Sequence, residues 1–387
     1  MSYEKIEIGR LVALRQGFAI NKKTNHHISD EPTNLHLLRI GDMKDGNFSI
    51  FVKNTIPEKF IAKESDIIFT RTGQVGLVFR KQYGVVHNNC FTVTTIDEDI
   101  LLQEFIYYAL QEKSFYEEAV SRATGAAQPD LSHGAFNSIQ IYLPTIESQR
   151  KITNILNAYD ILIENNKKQI KLLEESAQRI YKEWFIDLHF PGYENTEIID
   201  GVPEGWERAP LTEFADVTMG QSPKSEFFNQ DGMGLPFHQG VGSYGFRFVI
   251  DETFSTSYTK IAEANSILFS VRAPVGRLNI TMNKIVIGRG IAAINSKQGY
   301  QSFLFYMLKE KFYKEDILGN GSIFSSITKK ELLKLQFVIP VFELIEKYEK
   351  IVEPIDKDIV VLNKKVQGLK EARDRLLPKL ISGEIEV

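Results

Sequence analysis

Residues 66–76 read DIIFTRTGQVG, and residues 266–276 read SILFSVRAPVG. Phe69 matches Phe269, Val75 matches Val275 and Gly76 matches Gly276. Both segments are short β-rich runs ending in a glycine-containing turn. The match continues downstream: Phe105-Ile-Tyr-Tyr-Ala-Leu110 pairs with Phe303-Leu-Phe-Tyr-Met-Leu308, and Ile141-Tyr-Leu-Pro144 with Phe337-Val-Ile-Pro340. The separation shrinks only slightly along the chain, as two diverged copies with small loop deletions would behave. Solenoid repeats have periods of roughly 20–50 residues, so a duplicated domain with its connector is the reading. The 387-residue length agrees, since one hydrophobic core rarely serves so long a chain.

After each proline the apolar pattern turns from strand-like to helical. In the first copy it runs Ile152, Leu156, Tyr159, Ile163, Asn166, Ile170, Leu173, Ala177, Ile180 and Trp184. In the second it runs Ile345, Tyr348, Val352, Ile355, Ile359, Leu362, Val366, Leu369, Arg373, Leu376 and Leu380. Spacings of three and four make a heptad seam on each helix. Neither helix can bury its seam alone, so the two are expected to pair as a coiled coil within the chain. Pro354 lies inside the second seam, and a proline in a helix interior costs about 3 kcal/mol or more. A short helix ending near Glu353 and a longer one starting at Pro354 are therefore expected. Asn166 has two readings: a polar residue that fixes register, or one at the seam's edge.

The seams bound the domains. The expected fold is α+β, with two globular α/β domains in tandem repeat, at 1–145 and 189–340, and helices at 146–188 and 341–387. Helices are expected around 103–119 and 301–312. The Gly/Pro-rich stretch 190–206 reads as a linker into the second domain.

Composition is that of an ordinary globular chain, with 43% hydrophobic and 25% charged residues and a net charge of −4. The chain as a whole is not a basic nucleic-acid coat. The single cysteine, Cys90, excludes an internal disulfide and CxxC zinc sites, and fits a reducing cytoplasm. MSYEKIEIGR carries no apolar signal core, and no run reaches the length of a membrane span.

Catalytic signatures are missing. There is no GxxxxGK, HExxH or Gly-x-Ser-x-Gly, and no Asn/Asp-Pro-Pro-aromatic motif. His26-His27 reads as a surface loop without a third metal ligand. The string His87-Asn-Asn lacks the second histidine a nuclease would need.

The distribution of charge says more than its sum. Residues 67–96 contain Arg71, Arg80 and Lys81 and no acid, and residues 267–296 contain Arg272, Arg277, Lys284 and Arg289 and no acid. Matched acid-free stretches suit a surface facing phosphates. They equally suit β-rich core segments that happen to lack acids. Amide and aromatic side chains lie close by: Gln74, His87, Asn88 and Asn89, and His238, Gln239 and Tyr244. Such residues read base edges in the major groove.

At the helix junctions the chain resembles the specificity (S) subunit of type I restriction–modification systems. Ala177-Gln-Arg-Ile-Tyr-Lys-Glu-Trp-Phe-Ile-Asp187, followed by Gly201-Val-Pro-Glu-Gly-Trp206, is similar to the family's central conserved region. Arg375-Leu-Leu-Pro-Lys-Leu-Ile-Ser-Gly-Glu-Ile385 is similar to its C-terminal region. Leu143-Pro-Thr-Ile-Glu-Ser-Gln149 resembles the start of the first conserved helix, and residues 66–76 and 265–276 the core of the target recognition domains. The family usually places Glu-Gln where this chain has Ser148-Gln149 and, in the second copy, Leu344-Ile345. Ala273-Pro274 stands where the first copy has Gly73-Gln74.

The resemblance implies two target recognition domains separated by two antiparallel helices, each domain reading half of a bipartite site in double-stranded DNA. It implies two modification subunits that carry S-adenosylmethionine and methylate adenine, together with restriction subunits, in the cytoplasm. The chain itself would hold no cofactor, metal or catalytic residue. Tight DNA binding would then appear only in the assembled complex. Position and chemistry together nominate Gln16, Lys22, Lys23, Arg71, Thr72, Gln74, Asn88 and Asn89 as DNA contacts in the first domain. In the second they nominate Gln221, Lys224, His238, Gln239, Arg272, Arg277 and Arg289. Some arginines would instead pair with Asp42, Asp66 or Asp251. The competing reading of the residues is a coiled-coil scaffold whose two domains bind proteins or other ligands.

Overall fold

The computed structural model describes residues 3–317 and 326–387, with Asp45 and 313–317 described by backbone only. The chain forms two compact units, residues 1–165 with 366–387, and residues 166–365.

In the first unit a four-stranded antiparallel sheet has the order Val12–Gln16, Cys90–Thr95, Ile67–Thr70, Val78–Phe79. Every residue of Ile67–Thr70 is buried, which explains its unbroken apolar reading. Leu37–Leu38, Gly84–Val86 and Ile61–Ala62 make a smaller mixed sheet. Glu4–Glu7 pairs with Gln140–Leu143.

The second unit repeats this plan. Its sheet has the order Ala215–Met219, Ile291–Ser296, Ile267–Ser270, Leu278–Ile280. A five-stranded sheet stands beside it, and Glu207–Pro210 pairs with Gln336–Ile339. The glycines matched in the sequence do the same job in both copies. Gly76 has φ +94° and Gly276 φ +90°, and a Cβ would stand 2.5 Å from the Tyr116 ring in one and 2.7 Å from the Phe312 ring in the other. Positive φ and close ring approach together leave room only for glycine.

The long helices are Ile146–Phe185 and Phe342–Ser382. They belong to the globular cores as much as to each other. In the first unit Ile152, Leu156, Leu377, Leu380 and Ile381 share one core with Phe69, Phe91, Phe105 and Phe136. In the second, Tyr181, Phe185 and Tyr348 meet Phe303. Within each unit the two helices run antiparallel. Asp160 pairs with Arg373 while Ile152 and Leu156 join Leu377 to Ile381, and in the second unit the Tyr348 hydroxyl donates to the Ala177 carbonyl at 3.3 Å.

The seam is displaced from the expected one. Ile152, Leu156, Ile163, Ile170, Val352, Ile359 and Val366 are buried, but Tyr159, Leu173, Ile180 and Trp184 are half-buried. Asp160, Glu174, Tyr181 and Phe185, each one residue on, are buried instead. Ile355, Leu362, Leu369 and Leu376 are half-buried as well. A helix with 3.6 residues per turn drifts off a 3.5-residue seam, and here each helix also faces a globular core, so its buried face is broader.

Three further expectations are corrected. Phe342–Ser382 is one helix through Pro354. Pro354 and Lys350 are both exposed, so water can satisfy the carbonyl that lost its donor, while buried Val352 and Ile359 hold the helix on either side. The helix expected around 103–119 is two, Gln103–Ala109 and Lys113–Arg122; Glu112 caps the second by accepting from the Ser114 amide at 2.9 Å. The stretch 190–206 is no loose linker. It contains the strand pair Ile198–Ile199 with Val202–Pro203, and Phe190 and Trp206 are buried against each other, ring centres 5.2 Å apart.

Candidate nucleic-acid interface

Backbone segments following or preceding three adjacent strands meet at one end of each four-stranded sheet, joined there by a fourth. In the first unit Gly17 donates to the Cys90 carbonyl at 3.1 Å, Phe18 to Val86 at 2.7 Å and Arg71 to Asn89 at 2.8 Å. Leu131 then donates to Arg71 at 2.9 Å. In the second unit Gly220 donates to Ile291, Gln221 to Ile287, Val271 to Gly290 and Ile327 to Val271, each at 2.9 Å. A Cβ at Gly17 would lie 2.2 Å from the His87 carbonyl oxygen, and one at Gly220 2.1 Å from that of Gly288. The same backbone frame is thus built twice, and glycine is required at its tightest crossing.

The two frames carry different side chains. The first gathers Gln16, Arg71, Asn88 and Asn89. Arg71 Nη1 donates to Gln16 Oε1 at 3.0 Å, and Gln16 Nε2 donates to the Asn88 carbonyl at 2.6 Å. The corresponding places of the second hold Met219, Val271, Arg289 and Gly290, with Gln221, Ser222 and Gln239 alongside. There Ser222 Oγ donates to Gln239 Oε1 at 2.6 Å, and the Arg289 amide donates to Ser222 Oγ at 3.2 Å. Gln221, Gln239, Arg272 and Arg289 are exposed, as is Gln74 in the first unit.

The charges depart from the acid-free pattern of the linear sequence. All three cations of 67–96 meet acids from outside that stretch: Arg71 with Asp130 at 2.6 Å, Arg80 with Asp160 at 2.7 Å and Lys81 with Glu164 at 3.4 Å. Arg71, helped by the Thr72 hydroxyl, holds the Asp130 carboxyl below the usual carboxylate range against its partial burial. In the second unit Lys284 pairs with Glu263 at 2.9 Å. The backbone of Thr72 bridges to that of Asp130 in the first copy and the backbone of Arg272 to that of Ser326 in the second, so a serine stands at the position of the acid. Among the described residues no acid forms an ion pair with Arg272 or Arg289.

The other nominated residues are scattered. Lys22 and Lys23 lie exposed on the loop after Ile20, where Asn21 Oδ1 accepts from the Lys23 amide. Lys224 is exposed beside Glu226 at 3.7 Å. Arg277 lines a groove with Phe246, Lys309 and the central-helix residues Gln178 and Lys182. His238 is a correction. Its ring is 1% exposed, with Nδ1 2.8 Å from Ser243 Oγ and Nε2 3.0 Å from Asp251, so it supports the Gln239 loop and presents no free edge. The alternative pairings expected of the nominated arginines do not form: Asp42 takes Arg39 and Asp66 takes Arg15, each at 2.7 Å, and Asp251 takes His238.

Sequence reasoning missed Asp130 and Ser222, and gave Asp251 an arginine partner where the structure gives it His238. Asp130 sits 59 residues from Arg71, and no local pattern marks it. Ser222 had one signal, its place beside Gly220-Gln221. Among the described residues no group of histidine, cysteine and carboxylate side chains could hold a metal ion, and no helix is long and apolar enough to cross a membrane.

Comparison with known proteins bears on these paired frames. The family described as "Type I restriction modification DNA specificity domain" matches residues 2–175 and again 203–371. The chain is similar to the type I restriction enzyme MjaIX specificity subunit of Methanocaldococcus jannaschii, at 27% identity over 361 residues, covering 89% of this chain and 81% of that one. It is also similar to the type I restriction enzyme HindI specificity subunit of Haemophilus influenzae, at 23% identity over 403 residues, covering 84% and 87%. Among solved structures, the S subunit of a type I restriction–modification system from M. genitalium shares the fold, with TM-score 0.55 at 20% identity over 98% of this chain and 96% of that one. A family match that falls once on each copy and takes in most of the chain settles its kinship: this protein belongs to the type I restriction–modification DNA specificity family.

Proposed function

We propose that the chain is the sequence-reading subunit of a type I restriction–modification complex. Each domain reads one half of a bipartite DNA site. Two modification subunits, which bring S-adenosylmethionine, methylate adenine there, and restriction subunits cut unmodified DNA. The chain supplies recognition and no chemistry of its own, and it works in the cytoplasm.

One observation carries this reading: a single backbone frame, built twice, holds two different sets of polar side chains. Reading two unlike half-sites needs a constant scaffold and variable contacts. Phosphate contacts fix position, and amide and guanidinium groups that reach base edges specify sequence. Asn88 and Asn89 suit the first role or the second, whereas Arg71 is largely engaged by Asp130 and the Gln16 amide by Arg71 and the Asn88 carbonyl. In the second domain exposed Gln221, Gln239, Arg272 and Arg289 are the readers.

The test is a methylome of cells co-expressing the chain with its modification partner. A new split adenine motif is expected. Arg272→Ala with Arg289→Ala should lower methylation at that motif while the subunits still co-purify. A soluble complex that produces no split motif would overturn the reading. DNA binding that does not weaken steeply with salt would favour a scaffold for other ligands.

A further inference from the structure

One construction recurs where each globular domain meets the helices. Tyr108 and Asp160 of the first copy correspond in the repeat to Tyr306 and Asp356 of the second. Tyr108 Oη donates to Asp160 at 2.9 Å, and Tyr306 Oη to Asp356 at 3.1 Å. An arginine completes each cluster. Arg80 lies over the Tyr107 ring at 4.1 Å and reaches Asp160 at 2.7 Å. Arg247 lies over the Phe305 ring at 4.4 Å and reaches Asp356 at 2.5 Å. The arginines come from unrelated places in the two copies, Arg80 just after the strand Val78–Phe79 and Arg247 from the loop before Val249. The acid position is common to both copies, and each has found its own cation.

Both clusters join the two helices as well as the domain. Asp160 also takes Arg373 of the C-terminal helix at 2.6 Å. Arg247 also meets Glu174 of the central helix at 3.3 Å, and Lys309 joins Glu174 at 2.7 Å. These groups are desolvated, with Asp160 8%, Glu174 7% and Arg247 4% exposed. Apolar helix faces tolerate a slide by one turn, because any neighbouring apolar residue will serve. A buried charge is satisfied in one register only, and every other register leaves it unpaired.

We infer that Arg80 and Arg247 are positioning residues that fix the register of each domain on its helices, and thereby the spacer length the protein accepts between half-sites. This rests on the functional reading above. One helical turn is about 5.4 Å and one base-pair step about 3.4 Å, so a slip of one turn corresponds to about one or two base pairs.

The test measures methyl transfer by the complex assembled with its modification partner, on duplexes carrying the native spacer or one lengthened or shortened by one base pair. Arg247→Met is expected to raise the relative rate on altered spacers about tenfold, with base preference in both half-sites retained. Arg247→Lys should restore most of the discrimination. If Arg247→Met does not assemble, the apolar triple variant Arg247→Met, Glu174→Leu, Asp356→Leu removes the buried charges together, leaves only the partly exposed Lys309 to be met by water, and is expected to show the same relaxed spacing. Unchanged spacer discrimination would overturn the inference, as would lost base preference at fixed spacing, or failure of the triple variant to assemble. If the wild-type complex methylates no split site at all, the functional reading itself has failed and the inference falls with it.

Discussion

Gly276→Ala probes the turn that first revealed the duplication. The added Cβ would stand 2.7 Å from Phe312 Cδ1 and 3.1 Å from its Cγ, and the backbone there has φ +90°. Two costs separate cleanly. Holding a non-glycine residue in a left-handed conformation costs roughly 1–2 kcal/mol. Forcing the ring aside, when it already packs on Phe269 with ring centres 4.8 Å apart, costs about 1–3 kcal/mol. The sum is about 2–5 kcal/mol, or roughly 4–20 °C in Tm at about 2–4 °C per kcal/mol for a unit of this size. Both tryptophans of the chain, Trp184 and Trp206, belong to the unit 166–365, so their emission during urea unfolding follows the affected half. In a Phe312→Ala background the same substitution should cost only the backbone part, about 1–2 kcal/mol. Equal cost in both backgrounds would show that the ring is not the obstacle. A cost below about 0.5 kcal/mol would refute the strained backbone as well.

Four further outcomes are expected. Asp160→Asn leaves Arg80 and Arg373 facing a neutral group, and thermal unfolding should show a loss of about 3–5 kcal/mol. Gln149→Ala strands the Leu102 amide and the Ile100 and Pro144 carbonyls, now each within 2.9 Å of a side chain that is fully buried; at about 1–3 kcal/mol for each unpaired group, chemical denaturation should register at least about 3 kcal/mol. Burial pushes the Cys90 thiol up to about 12, so a thiolate-directed reagent at pH 8 should label the unfolded chain and spare the folded one. Burial, reinforced by Arg39 for His87 and by Arg71 for His133, lowers both imidazole pKa values in the folded state. The folded chain then binds fewer protons than the unfolded one, so this stability is present above about pH 6.5 and is lost as pH falls below it; imidazole resonances titrating at or above that value would contradict this.

The junction of helix and domain shows where legibility stopped. Gln149 fastens the start of the central helix to the backbone around residues 100–102. The second copy has Ile345 at the matching place, and instead buries Glu349, which accepts from the Ser302 and Phe303 amides at 3.0 Å each. Burial raises the Glu349 pKa, and the two amides partly oppose that rise. No repeat alignment could have disclosed the substitution, because the same fastening is made from a different turn of helix.

The sequence by itself determined the duplication, the class of fold, the two long helices and the family, because these rest on local signals: apolar spacing, glycine at a forced turn, proline after a strand, and motif strings. Family position and chemistry also nominated Gln16, Arg71, Asn88 and Asn89, but only the fold brings them together. Only the tertiary structure decided which cations are spent. Arg71, Arg80 and Lys81 look free in a stretch without acids, yet Asp130, Asp160 and Glu164 reach them from elsewhere in the chain. It likewise turned His238 inward and put Asp160 and Glu174 in the buried faces where Tyr159 and Leu173 were expected. Local spacing along a helix or strand reports which face an element can bury. Electrostatic pairing depends on what arrives from distant segments, and that distance is settled only when the chain folds.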